Sequence, residues 1–159
     1  MQKAIFAAGC FWGVQYYFDQ EPGVTASRVG YIGGHTKDPS YEDVCTHTTG
    51  HAEAVELMFD PAKVSYETLV MQFFHMHDPT QMNRQGPDVG DSYRSAIFYI
   101  DDEQKKIAEK VKIEAAKEFE QPIVTQIIEA PHFYEAEDYH QKFAERTGRG
   151  MCHIPYTQM

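Results

Sequence analysis

The pentapeptide Gly9-Cys10-Phe11-Trp12-Gly13 sets a cysteine between the end of a short apolar segment and two large aromatics. If a helix begins there, its unpaired backbone N–H groups stabilise a thiolate and lower the thiol pKa from its usual ~8.5 by about a unit or more. Cys10 would then be a nucleophile beside an apolar wall built from Phe11 and Trp12. The competing reading is that Cys10 is a small buried hydrophobe, the commoner fate of an isolated cysteine.

Glu53 is the second candidate. It heads the alternation Glu53, Val55, Leu57, Phe59, an apolar set that belongs in a core. A carboxyl on that face either frays to solvent at the strand's first residue or is buried with a raised pKa. In the second case it can give a proton to a leaving oxygen near neutral pH. Tyr41 and Tyr93 lie in or beside two long loops, where a phenol can donate to a polar oxygen while its ring lines an apolar pocket. With ten tyrosines in the chain, ordinary packing is the commoner explanation for any single one of them.

Cys152 follows Thr147-Gly148-Arg149-Gly150-Met151, a glycine-bearing tail. A second thiol on a segment able to travel suits attack on an oxidised first cysteine. Eight histidines and three cysteines also raise metal binding, through Cys45-x-His47 with His51, His75-x-His77 or Cys152-His153. None of these is a C-x-x-C pair or an H-E-x-x-H helix, so no metal is expected. Histidine-rich loops beside a polar pocket account for the same residues.

The elements that would hold these residues alternate between strand and helix. Lys3 to Ala8 reads as a strand and Phe11 to Asp19 as a helix, stopped by Glu21-Pro22-Gly23. Thr25 to Ile32 is strand-like, and residues 33 to 51 form a long loop of the kind that usually carries function. Ala52 to Phe59 is a strand. Ser65 caps a helix with Tyr66, Leu69, Val70, Phe73 and Phe74 at helical spacing. Residues 77 to 92 form a second loop, Tyr93 to Ile100 a strand, and Asp101-Asp102 cap a helix to about 119 with Ile107, Val111 and Ala115 inward. Ile123 to Ile128 should be a strand and Ala136 to Arg146 a last helix.

The first six elements run β, α, β, β, α, β. That order is an α+β, ferredoxin-like two-layer sandwich with a βαββαβ core, here with extra helices, long loops and a flexible C-terminal tail. The 159 residues suit a single catalytic domain, 1–159, with 147–159 as the mobile tail carrying Cys152. Fourteen basic against 24 acidic residues, net −10, without a basic cluster, exclude general nucleic-acid binding and attraction to an anionic membrane. The N-terminus lacks the parts of a secretory signal, and no apolar run approaches the ~18 residues of a membrane span. An odd count of three cysteines points to a reducing cytoplasm, and the absence of heptads to a monomer.

Taken together the motifs resemble the peptide methionine sulfoxide reductase A family over nearly the whole chain. Gly9-Cys10-Phe11-Trp12-Gly13 is similar to the family's nucleophile signature. Gly33-Gly34, Tyr41-Glu42-Asp43-Val44-Cys45, Gly50-His51-Ala52-Glu53-Ala54-Val55 and His77-Asp78-Pro79-Thr80 follow in family order. So do Arg84-Gln85-Gly86-Pro87-Asp88, Tyr93-Arg94-Ser95-Ala96 and Ala136-Glu137-Asp138-Tyr139-His140-Gln141.

The resemblance implies that Cys10 attacks the sulfoxide sulfur and becomes a sulfenic acid. It implies that Glu53, Tyr41 and Tyr93 bind the oxygen, with Glu53 as proton donor. Phe11 and Trp12 would hold the terminal methyl, and Asp88 would support the pocket. Cys152 would resolve the sulfenic acid as a Cys10–Cys152 disulfide, reduced by thioredoxin as external reductant with no bound cofactor. Cys45 is given no catalytic role. The substrate would be the S epimer of methionine sulfoxide, free or in oxidised proteins. The rival readings from the residues alone are a Cys–His thiol hydrolase and a non-enzymatic metal- or methionine-binding module.

Overall fold

Alternation along the first strand sets the layering, because side chains at i and i+2 share a face. In β1 (Gln2–Ala8), Ala4, Phe6 and Ala8 point to one side of the sheet, and Ile5 and Ala7 to the other. The computed structural model describes residues 1–149; Cys152 and the 150–159 part of the expected tail lie outside the described residues. From β1 the chain continues through α1 (Phe11–Asp19), β2 (Val24–Ile32), α2 (Tyr41–Cys45), β3 (Ala52–Phe59) and α3 (Tyr66–Met76). The two-residue strands β4 (Arg84–Gln85) and β5 (Asp88–Val89) lead to a 3-10 turn at Asp91–Tyr93. Then come β6 (Ser95–Tyr99), α4 (Asp102–Ala116), β7 (Gln126–Glu129), β8 (Tyr134–Glu135), a 3-10 turn at Asp138–His140, and α5 (Phe143–Thr147).

The main sheet is mixed, in the order β7-β6-β1-β3-β2-β8, with only the β6–β7 pair parallel. On one face, Phe6, Val55, Leu57 and Phe59 pack against Phe18 of α1, Phe73 and Phe74 of α3, and Val111 of α4. On the other, Ile5, Ile32, Ala54, Ala96 and Phe98 are covered by Phe133, Ile128 and Ala130. The described residues form an α+β fold with five helices and a central mixed sheet. Its helix starts follow from sequence chemistry. Ser65 Oγ accepts from the Thr68 N–H at 3.0 Å and Asp101 Oδ1 from the Gln104 N–H at 2.9 Å, each cap being worth about 1 kcal/mol.

Four local expectations change. The first loop contains α2, whose Ser40 and Asp43 exchange side-chain-to-backbone bonds as a reciprocal capping box. The strand expected from Ile123 begins at Gln126, because the Val124 N–H is drawn to the Pro79 carbonyl at 2.8 Å and Thr125 to Ser95. On α4 the inward row is Ala108, Val111 and Ala115, with Ile107 only partly buried. The continuous final helix is broken. Gln141 instead bonds both backbone groups of Val29, and Lys142, with φ +58°, directs its N–H to Gln15 and its ammonium to Asp19. Those long-range bonds outweigh helix propensity at two adjacent residues.

Candidate active site

β1 ends at Ala8, and Gly9, with φ +100°, turns the chain into α1. A side chain at that φ would be strained, so glycine is what permits the reversal. Cys10 is the N-cap of α1 and half-buried, and its side chain does not cap the helix. The helix's first N–H, that of Phe11, instead donates to Glu53 Oε1 at 3.2 Å. The cysteine and the acid are thus joined through one peptide group at a helix N-terminus.

Glu53 is buried, 1% exposed, on the helix-covered face of β3 beside Val55. The fraying alternative is therefore excluded. Burial raises its pKa from an ordinary 4.5 to about 8, against the Phe11 hydrogen bond, which lowers it, and with help from the charge of Asp88. Glu53 is consequently mostly neutral at pH 7. Because Oε1 already accepts from Phe11, the proton belongs on Oε2, which has no hydrogen-bond partner among the described residues. A buried O–H donor without an acceptor is costly, by about 1–3 kcal/mol, until something polar arrives.

Tyr41 opens α2 and Tyr93 closes the 3-10 turn before β6; both are half-buried. Burial, and next the charge of Glu53, holds both phenols well above their ordinary range, so both remain donors. Asp88, on β5, buries Oδ2 without a hydrogen-bond partner among the described residues and acts electrostatically on Glu53 and Tyr93. Phe11 is fully buried, its ring centroid 5.7 Å from Tyr31 and 6.5 Å from Tyr41. Trp12, half-buried, stacks on Phe143 at 4.0 Å and lies 6.4 Å from Tyr41. The seven candidates among the described residues are therefore linked by bonds, ring contacts or electrostatics. Cys152 lies outside those residues.

Three residues with no role assigned from sequence support this group. Glu137 accepts from the Tyr41 N–H at 3.0 Å and the Tyr31 phenol at 2.9 Å, tying α2 to β2. Burial opposes its ionisation, but these bonds and its own N–H hold its pKa below the ordinary value. His140 accepts from the Trp12 indole at 2.9 Å. Arg94 spans two loops, donating to the Gly50 and Asp91 carbonyls at 2.9 and 2.8 Å, next to the segments that carry Glu53 and Tyr93. Glu137, His140 and Arg94 stand inside motifs that carry the family resemblance, but only contacts across the chain show what each one holds.

Of the histidines considered as metal ligands, His51, His75 and His77 have other partners. His51 bonds the Gly34 N–H and the Thr36 carbonyl, His75 pairs with Glu118, and His77 bonds the Phe73 carbonyl and Ser95. A Cβ on Gly34 would strike His51 N and Thr49 O, so glycine is required for that approach. Among the described residues no cluster of three or more His, Cys, Asp or Glu could hold a metal ion. No helix among them is long and apolar enough to cross a membrane. Cys45 is exposed, and burial first of all, despite the Tyr41 hydrogen bond, raises its thiol pKa.

The arrangement gathers three neutral O–H donors, a cluster of aromatic rings and a cysteine at a helix N-terminus. It suits a small group with one basic oxygen on an apolar body. The family model for peptide methionine sulfoxide reductase matches residues 2–159. The chain is 55% identical over 150 residues to peptide methionine sulfoxide reductase MsrA of Methanosarcina mazei, covering 93% of this chain and 71% of that protein. It is 51% identical over 156 residues to MsrA of Acidobacterium capsulatum, covering 97% and 100%. Reduced Mxr1 from Saccharomyces cerevisiae superposes with a TM-score of 0.90 at 33% identity, covering 96% of this chain and 88% of that one.

Proposed function

The chain belongs to the peptide methionine sulfoxide reductase family, and from that premise we propose that it reduces the S epimer of methionine sulfoxide through a sulfenic acid on Cys10. The observation that carries the reading is the buried, mostly neutral Glu53, bonded through Oε1 to the residue after Cys10 and with Oε2 unpartnered. A sulfoxide oxygen is the acceptor Oε2–H lacks.

The Cys10 thiolate attacks the substrate sulfur as Glu53 protonates the oxygen, since attack on sulfur is slow until that oxygen is a leaving group. The oxygen ends on the Cys10 sulfur: substrate sulfur is reduced to the thioether, and Cys10 is oxidised from thiol to sulfenic acid. Tyr41 and Tyr93 donate to the oxygen, Phe11 and Trp12 hold the methyl, and burial, with the charge of Asp88 adding to it, keeps Glu53 protonated. Cys152 then attacks the Cys10 sulfur, water leaves, and a Cys10–Cys152 disulfide forms. A thioredoxin-type dithiol returns both thiols, and no bound cofactor takes part. One epimer per enzyme is the general rule for this repair chemistry.

We read residues 1–159 as one catalytic domain, monomeric and cytoplasmic, acting on oxidised proteins and on the free amino acid. The βαββαβ core is read as ferredoxin-like, supported by the β6-β1-β3-β2 order with antiparallel neighbours. The test is a single turnover of reduced enzyme with resolved S and R methionine sulfoxide and no reductant. About one methionine per enzyme from the S epimer alone, with a Cys10–Cys152 bridge, is the expected result; no product from either epimer would refute the reading.

A further inference from the structure

His47, one of the histidines weighed for metal binding, stands just beyond α2, where its N–H donates to the carbonyl of the fully buried Val44 at 3.0 Å. Its φ of +59° is a conformation that residues with a Cβ seldom adopt. That path carries the imidazole onto the turn that ends in Tyr93. A Cβ on Gly90 would strike His47 Cε1 and Nδ1, so the ring lies directly against the Gly90 backbone, and it meets the Tyr93 ring edge-on with centroids 6.2 Å apart. Nδ1 stands 3.4 Å from Ser92 Oγ and 3.6 Å from Asp91 Oδ1. That carboxylate oxygen is buried and has no hydrogen-bond partner among the described residues. An ionised carboxylate only accepts, so Nδ1 presents an N–H shared between the two oxygens.

We propose that His47 is a positioning residue for the two phenols: by clasping the Asp91–Tyr93 turn to the end of α2, it fixes Tyr41 and Tyr93 at the spacing that receives one sulfoxide oxygen. The inference rests on the reading of both phenols as donors to that oxygen. Tyr41 is the first residue of α2 and Tyr93 the last of the turn. Two donors on separate segments meet one acceptor only if the segments keep their spacing, because hydrogen bonds weaken steeply with distance and angle.

Each segment also has an anchor of its own. Glu137 holds the Tyr41 N–H, and Arg94 ties the Asp91 carbonyl to that of Gly50, before β3. The His47 contacts instead run from one segment to the other. A flat ring suits this place because Gly90, at φ +138°, offers no side chain to keep it away. The side chains of His47 and Asp91 are 37% and 35% exposed, and ion pairs so open to water add little to stability. The effect of the clasp therefore lies in the spacing of the donors, and the measurement that reads it is kinetic.

Single turnovers of the reduced full chain over a range of methionine sulfoxide concentrations give a saturating rate and a half-saturating concentration. His47→Gly keeps the left-handed backbone and removes the ring. It should raise the half-saturating concentration about three- to tenfold, the weakening of one hydrogen bond to the substrate. The saturating rate should stay within about threefold of wild type, since Cys10 and Glu53 are untouched. His47→Asn tolerates the same backbone and carries an N–H donor, and should bring the value back to within about twofold of wild type. The decisive comparison combines His47→Gly with Tyr93→Phe. A phenol already displaced has less to lose, so the combined rise should fall short of the product of the single rises by about threefold or more.

Rises that simply multiply, a wild-type value in His47→Gly, or no recovery in His47→Asn would overturn the proposal. Should His47→Gly not fold, Asp91→Ala opens the clasp from the other side, and the same combination with Tyr93→Phe decides the matter. The single variants Tyr41→Phe and Tyr93→Phe separate the two levels. Wild-type kinetics in both would remove the reading of the phenols as donors, and this inference with it, whereas rises that multiply would remove this inference alone.

Discussion

The backbone N–H of Phe11 donates to Oε1 of Glu53 at 3.2 Å, joining residues 42 positions apart at the point where α1 begins. One bond thereby orients the buried acid and ties the residue following Cys10 to β3. It also leaves the proton of Glu53 on the oxygen that has no hydrogen-bond partner among the described residues.

Glu53→Gln keeps the shape and the bond to Phe11 but has no acidic proton to give. The single-turnover rate should fall about 10²–10⁴-fold, with substrate affinity changed far less. Rapid-quench measurement of methionine formed by the reduced enzyme would check this, and an unchanged rate would remove Glu53 as proton donor.

Glu53 also couples stability to pH. Its folded value of about 8 lies above the ordinary 4.5, so between those values the folded chain holds a proton that the unfolded chain has released. Its contribution is therefore full below about pH 4.5 and lost as pH rises to about 8, amounting to a few kcal/mol. Urea midpoints at about pH 5 and 8.5 should show wild type losing more stability than Glu53→Gln across that interval.

The charge of Asp88 adds to the raised pKa of Glu53 after burial. Asp88→Asn should move the alkaline limb of the single-turnover rate to lower pH. A pH–rate profile with its limb in the wild-type place would show that Asp88 does not act through Glu53.

Glu137 holds Tyr41 by its backbone and Tyr31 by its phenol. Glu137→Gln should weaken both bonds, costing about 1–3 kcal/mol of stability. KM for methionine sulfoxide should rise as α2 loses its anchor. Thermal unfolding and steady-state kinetics on the same sample would test both effects.

Cys152→Ser should release about one methionine per enzyme and then stall with a thioredoxin-type reductant, because the sulfenic acid has no partner thiol. Continued turnover at the wild-type rate would assign the resolving step to another group.

Much of the fold could be read locally. The i, i+3, i+4 pattern from Tyr66, the caps at Ser65 and Asp101, and the period-two apolar face of β3 appear in the structure. Failures came where a long-range bond beat local preference. Gln141 turns to Val29 and Lys142 to Gln15 and Asp19, interrupting a helix that spacing alone would run from Ala136 to Arg146. The loop before β3 hid α2 because five residues carry too little periodicity to see, although Ser40 and Asp43 form a capping box.

By itself the sequence determined the kind of chemistry: a cysteine at a strand–helix junction, an acid on an apolar face, aromatics beside the sulfur, and the family these motifs resemble. Tertiary structure alone decided the acid's state. Strand patterning left Glu53 either frayed or buried, and a carboxyl's pKa depends on the water excluded around it and the charges nearby. Packing under α1 supplies that exclusion, and Asp88 supplies the charge. The same holds for His140, whose tautomer is set by an indole 128 positions away, because a proton's place on an imidazole depends on the partner its other nitrogen meets.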